Sequence, residues 1–293
     1  MPRAHANGID LEWEEFGKPD DPALVLIMGL GAQMIAWDDE LCGMIAGHGY
    51  HVIRFDNRDV GLSTKLDGAP APDVLAAFTG DMSSASYTLD DMADDTAGLL
   101  DVLGIGSAHV VGASMGGMIA QTLAIRHPLK VHTLTSIMST TGALDVGQPE
   151  PATVPLLITP PPADRAGFVE HSVRTSRVLS SPGFPFDEER ARERGGRTYD
   201  RGFHPAGVGR QLLAVVASGD RTPALRSLRL PTLVIHGDAD PLIAPSGGRA
   251  TAAAVPGARL LMIPGMGHDL PRGSWETITD AIVELVATTR EPV

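Results

Sequence analysis

HVVGASMGGMIAQTLAIRHP, residues 109–128, changes character at its glycines. Before them runs a short apolar stretch of strand length. After them, residues 115–126 form an apolar stretch of helix length that Pro128 stops. Gly112-Ala113-Ser114-Met115-Gly116 therefore matches G-x-S-x-G in the setting the pattern requires, strand before and helix after. The spacing has a steric reason. A serine on a sharp strand-to-helix turn sits in a strained backbone conformation. Side chains two residues before and after it would collide, so both positions are glycine. The turn lifts the Ser114 hydroxyl above the sheet and points the first free helix amides, beginning at Met115, toward a developing oxyanion.

Outward from this turn the same alternation repeats. ALVLIMGL (23–30), HVIRFD (51–56), VHTLTSIM (131–138), TLVIHGD (232–238) and ARLLMIPG (258–265) read as strands, with residues 11–16 as an early antiparallel one. Helices are expected over 37–46, 87–103, with Thr88 as N-cap and Asp91 three positions on, and 274–289. Strands interleaved with helices predict a mixed, mainly parallel α/β sheet. Residues 142–215 break the pattern, opening on QPEPATVPLLITPPPAD (148–164) and continuing with helix-compatible segments over 165–178 and 186–194. We expect a core of 1–141 and 216–293 with 142–215 as a helical cap or lid. The other reading, a long irregular crossover, meets the rarity of structureless loops of that length.

Composition sets bounds. The chain has 293 residues, with 23 Lys+Arg against 36 Asp+Glu, a formal charge of −13 that disfavours a nucleic-acid partner. The one cysteine, Cys42, cannot form an internal disulfide. No apolar stretch approaches the ~20 residues of a bilayer span, and MPRAHANGIDLEWEEFG lacks a secretory h-region. The expectation is a cytoplasmic protein with no membrane partner and a homodimer left open. No H-E-x-x-H, paired C-x-x-C or Walker-type lysine loop is present. His236, Asp238 and Asp240 share one turn without distant ligands, so neither a metal nor another cofactor is expected. Asp90, Asp91, Asp94 and Asp95 read as a solvated face at a helix start.

A serine hydroxyl needs a base to act as nucleophile. Of ten histidines, His268 in GMGHDL follows the last strand at its C-terminal end, the sheet edge from which Ser114 also emerges. A carboxylate must hold the imidazole tautomer. HGDADP (236–241) offers Asp240, which precedes Pro241 and so favours an extended or turn conformation, with Asp238 as competitor. The order Ser114, Asp240, His268 is that of an α/β-hydrolase. The amide of Leu30, in the small-residue turn after residues 23–30, is the expected second oxyanion donor beside Met115. Gly29, Met34, Met138 and Met266 are expected to bind substrate at the same edge.

Taken together, MGLG (28–31), RFDNRDVGLS (54–63), GASMGG (112–117), HGDADP (236–241) and GMGHDLP (265–271) resemble the α/β-hydrolase superfamily, and within it esterases of the aclacinomycin methylesterase type. The resemblance implies an eight-stranded mixed sheet with helices on both faces and a helical cap, Ser114, Asp240 and His268 as triad, and Leu30 and Met115 as oxyanion donors. Many relatives have His-Gly before the oxyanion loop. This chain has Met28-Gly29, which agrees with the methylesterase pattern. The implied activity is hydrolysis of a small-molecule neutral ester with a short or medium acyl chain or a small alcohol, through an acyl-enzyme and without a cofactor. A lactonase, a thioesterase or a cofactor-free haloperoxidase/perhydrolase would share the triad. A non-catalytic ligand receptor would share only the scaffold.

Overall fold

The computed structural model describes residues 2–289. Among them eight strands form one sheet: β1 (Arg3–Ala6), β2 (Ile9–Phe16), β3 (Ala23–Ile27), β4 (His51–Phe55), β5 (Ala108–Ala113), β6 (Val131–Ile137), β7 (Thr232–Gly237) and β8 (Arg259–Ile263). Their order is β1-β2-β4-β3-β5-β6-β7-β8. β1 pairs antiparallel with β2 and β2 with β4, and every later pairing is parallel. β4, β5 and β7 are buried along their whole length, which is why they appear in the sequence as continuous apolar runs. β1 carries no strand signal in the sequence because its four residues alternate too briefly. β3 stops at Ile27, short of the apolar run, because Met28 to Gly31 turn away to build a loop at the sheet edge.

The helices are α1 (Asp39–Gly47), α2 (Val74–Phe78), α3 (Leu89–Val102), α4 (Met115–Arg126), α5 (Val154–Ile158), α6 (Arg165–Leu179), α7 (Glu188–Gly202), α8 (Pro205–Ser218), α9 (Thr222–Leu225), α10 (Pro245–Ala254) and α11 (Trp275–Ala287). Side chains alternate across the sheet. Val25, Ile27, Val110 and Leu134 pack with α3 and α4 on one face, while Leu24, Leu26, Val111 and Ile235 pack with α1 and α11 on the other. α4 is buried from Met115 to Ala124, matching a helix apolar on all sides. α3 starts with a capping box between Thr88 and Asp91.

The acidic run on α3 is not uniformly solvated. Asp90 and Asp94 pair with Arg126, but Asp95 is buried and takes both Arg58 and Asn7. The helix pattern alone could not reveal a cation supplied from 37 residues away. Between β6 and β7, α6 and α7 pack as a pair bridged by Arg165–Asp200, Arg177–Glu188 and Arg192–Glu170. These bridges carry α7 to Gly202, beyond the expected 186–194. Among the described residues no helix is long and apolar enough to cross a membrane.

Candidate active site

Ser114 sits between β5 and α4 with φ +57° and ψ −123°. A Cβ on Gly112 would lie 2.0 Å from the Gly116 carbonyl oxygen, so the turn closes only without one. A Cβ on Gly116 would lie 2.1 Å from the Ile27 carbonyl oxygen, so the second glycine answers to the neighbouring strand β3 as well. The conformation is left-handed and costs of order 1–3 kcal/mol, held by the packing of α4 on the sheet.

His268 follows β8 on a loop that the α6–α7 segment anchors. Its backbone N–H donates to the Leu179 carbonyl at 2.8 Å, and the Gly267 N–H donates to Ser181 Oγ at 2.8 Å. The imidazole Nε2 lies 3.0 Å from Ser114 Oγ, and Nδ1 lies 2.8 Å from Asp240 Oδ2. An ionised carboxylate only accepts, so Nδ1 carries the hydrogen and Nε2 is left to accept from the serine.

Asp240 is buried and its Oδ1 accepts two backbone N–H groups, from Leu242 and Ile243, both at 2.9 Å. Burial opposes its charge. The His268 imidazole, hydrogen bonds from His236 and His268 and the Ile243 amide outweigh burial and hold the carboxyl well below the usual carboxylate range. Asp238, the competitor, is exposed, and its Oδ1 accepts the Gly265 N–H at 2.6 Å instead. His236 is a second imidazole against the same carboxylate. Its Nε2 donates to the Ile243 carbonyl at 2.8 Å and lies 3.4 Å from Asp240 Oδ2. Its placement at the end of β7, two residues before HGDADP's first Asp, was visible in the sequence, but its reach to Asp240 was not.

The loop after β3 lies against the serine. A Cβ on Gly29 would stand 2.9 Å from Ser114 Cβ and 3.1 Å from the Ala113 carbonyl oxygen. The Asn57 side chain donates to the Met28 carbonyl at 2.9 Å, and Asp56 Oδ1 accepts the Met34 N–H at 2.7 Å. Neither the Leu30 nor the Met115 N–H has a hydrogen-bond partner among the described residues, and Gly29, the neighbour of Leu30, lies close to Ser114.

Ser114 and His268 open onto a cavity of about 440 Å³, within the usual range for small-molecule sites. Met28, Leu41, Met138, Leu156, Leu157, Leu179, Phe186, Val208, Leu270 and Trp275 make much of its wall, and Gly29 and Leu30 face it too. Asp38, Arg190, Arg194 and Arg272 also line it. Arg190 pairs with Asp38, and Arg272 with Glu40. Of the four expected substrate contacts, Gly29 and Met138 line the cavity, while Met34 and Met266 do not. Both are fully buried in the core. Met34 follows the turn into a short helical segment, and Met266 packs beneath the His268 loop over Gly237. Proximity in sequence to an edge residue does not fix which way a side chain points. Among the described residues no three His, Cys, Asp or Glu side chains are grouped to hold a metal ion.

The model of the alpha/beta hydrolase fold family matches residues 22–271. The chain belongs to the α/β-hydrolase family. Relatives of this hydrolase include the rhodomycin D methylesterase DauP of Streptomyces sp. (strain C5), 32% identical over 92% of this chain and 93% of that protein. The rhodomycin D methylesterase DnrP of Streptomyces peucetius is 31% identical over the same shares. Among solved structures, the meta-cleavage product hydrolase CumD of Pseudomonas fluorescens IP01 superposes with a TM-score of 0.79 over 99% of the hydrolase and 98% of that chain. At 19% identity, it speaks for the fold alone.

Asn57, Gln211 and Arg201 fasten the loop after β3 through the Met28 carbonyl, the Gly31 N–H and the Gln33 side chain; Asn57 lies within RFDNRDVGLS (54–63), while Gln211 and Arg201 belong to no motif. Gln211 has a signal: an amide directly before the apolar run LLAVVA (212–217), where a polar group that becomes buried must be bonded to something.

Proposed function

We propose that the protein is a serine carboxylesterase acting on small-molecule neutral esters, with a short or medium acyl chain or a small alcohol such as methanol. The observation that carries the reading is the unbroken relay from Asp240 through His268 to Ser114, 2.8 and 3.0 Å, at the wall of a largely apolar cavity.

Ser114 Oγ attacks the ester carbonyl as His268 Nε2 takes its proton. Asp240 stabilises the imidazolium so formed, and its low pKa keeps it ionised throughout. The tetrahedral oxyanion is held by the Leu30 and Met115 amides, each worth about 3–4 kcal/mol in the transition state. Collapse of the intermediate passes the proton from His268 to the leaving alcohol. Water then enters, His268 deprotonates it, and the acid leaves Ser114. The segment between β6 and β7 acts as the cap: Leu156, Leu179 and Val208 of its helices and Phe186 of the α6–α7 loop line the cavity together with Ser114. The methylesterases among the relatives support an ester with a small alcohol. We place the enzyme in the cytoplasm.

A fluorophosphonate probe should label the protein stoichiometrically at Ser114, and Ser114→Ala should remove both labelling and hydrolysis of p-nitrophenyl butyrate. Equal turnover by wild type and Ser114→Ala would defeat the mechanism. Slow or absent labelling together with tight ligand binding would indicate a receptor. A panel of esters varying acyl and alcohol separately, including methyl esters of bulky acids, then locates the side that the cavity selects.

A further inference from the structure

We propose that Gln211 of α8 is a positioning residue for the oxyanion loop: by holding the Leu30–Gly31 peptide from the cap side, it fixes the turn that presents the Leu30 amide to Ser114. This deepens the esterase reading and rests on Leu30 being an oxyanion donor.

Gln211 is fully buried. Its Oε1 accepts the Gly31 N–H at 2.8 Å, and its Nε2 donates to the Arg58 carbonyl at 2.8 Å. One amide thus joins α8 to the loop after β3 and to the loop after β4. Its orientation follows from its partners, since an N–H needs the oxygen and a carbonyl needs the NH2. Val208, one turn earlier on the same helix face, packs on the same peptide. Its Cγ1 would be 3.0 Å from a Cβ on Gly31.

The four residues 29–32 form a turn closed by the Ala32 N–H donating to the Gly29 carbonyl at 3.2 Å. Gly31, third in the turn, has φ +66°, the sign a type II turn requires. Type I and type II turns differ by a flip of the central peptide, here Leu30–Gly31. Glycine on both sides of Leu30 makes that flip sterically cheap. Flipping it would withdraw the Gly31 N–H from Gln211 and set the Leu30 carbonyl oxygen against Oε1, acceptor facing acceptor. Gln211 therefore selects one form of a turn that the local sequence leaves free. The selection matters because the Gly29–Leu30 peptide, which carries the Leu30 N–H, adjoins the flipping peptide at the Leu30 Cα, so a turn free to flip holds that N–H less firmly.

The test compares Gln211→Met, which keeps the volume and removes the acceptor, with Gln211→Glu, which keeps an acceptor for Gly31. Steady-state kinetics on p-nitrophenyl butyrate are combined with inhibition by butaneboronic acid, a tetrahedral mimic. Gln211→Met should lower kcat about tenfold or more, against a ceiling near a hundred- to a thousandfold for losing a whole oxyanion donor, with KM within about twofold. Boronate affinity should fall by a similar factor, while the apparent pKa of kcat/KM stays put because His268 and Asp240 are untouched. Gln211→Glu should keep kcat within about threefold of wild type, since one carboxyl oxygen still accepts from Gly31 and the other, protonated in this buried site, donates to the Arg58 carbonyl in place of Nε2. Wild-type kcat and boronate affinity in Gln211→Met would overturn the proposal, as would an equal loss in both variants at unchanged thermal stability. If Gln211→Met fails to fold, Gln211→Glu decides alone: folded and active supports the role, folded with kcat down more than about tenfold refutes it. Absence of fluorophosphonate labelling in wild type would instead strike the esterase reading itself, leaving the two failures distinguishable.

Discussion

Replacing Asp240 by Asn should silence the enzyme by reversing the tautomer of His268 while leaving the fold standing. Oδ1 of Asp240 faces two backbone donors, Leu242 and Ile243, both at 2.9 Å. In Asp240→Asn the amide oxygen must take that side, because an NH2 there would oppose two N–H groups. The NH2 then occupies the Oδ2 position, 2.8 Å from His268 Nδ1. It can only donate, so Nδ1 must give up its hydrogen and Nε2 must carry it. An Nε2–H facing Ser114 Oγ across 3.0 Å cannot accept the serine proton. The loss expected for a wrong-tautomer histidine is about 10⁴ in kcat, or roughly 5.5 kcal/mol of barrier, with little change in KM. The assay is p-nitrophenyl butyrate hydrolysis, with circular dichroism and thermal melting to show that the variant folds. Asp238→Asn serves as the internal comparison, and its effect should stay small because that carboxylate is exposed and bonds Gly265 instead. A folded Asp240→Asn within tenfold of wild type, or an Asp238→Asn variant that loses more than it does, would refute the reasoning.

Gly29→Ala places a methyl 2.9 Å from Ser114 Cβ and 3.1 Å from the Ala113 carbonyl, so the loop must retreat; kcat should fall about tenfold to a hundredfold with the fold retained, and an unchanged kcat would show that the loop is not a donor platform. Asp59 is buried, and burial is outweighed by hydrogen bonds from Arg210, the Leu66 amide and Tyr87, so its pKa is lowered. A carboxyl depressed in the folded state contributes stability that is present above its unfolded pKa and lost as pH falls through the folded one. Asp59→Asn, which strands the buried Arg210, should cost about 3–5 kcal/mol at neutral pH, and the melting-temperature gap to wild type should narrow in acid below about pH 4; a gap independent of pH would contradict this. Burial pushes the Cys42 thiol up to about 12, so Ellman's reagent should find no reactive thiol in the native protein and one after denaturation in guanidinium.

The legible part of the site lay in motifs whose constraints are local. GASMGG could be read because a strand-to-helix turn imposes glycine two residues either side of the serine. The α3 cap could be read because Thr88 and Asp91 satisfy each other within one turn. Strands end earlier than their apolar runs where apolar loop residues continue the pattern, as at Met28. The charged helix α7 runs beyond what its sequence pattern predicts because its support is ion pairing with α6 and not an apolar stripe.

The alternation of strands and helices, the order Ser, Asp, His, and the glycines of the serine turn are all legible along the chain, because each follows from sterics or hydrogen bonding among near neighbours or from apolar period. Which methionines face the cavity, that Gly116 also answers to β3, that Asp95 is buried against Arg58, and that Gln211 holds Gly31 from 180 residues away emerge from the folded chain alone. Those outcomes depend on which surfaces meet when the chain folds back on itself. No local rule of propensity or spacing encodes the direction of a side chain toward a partner so distant in the chain.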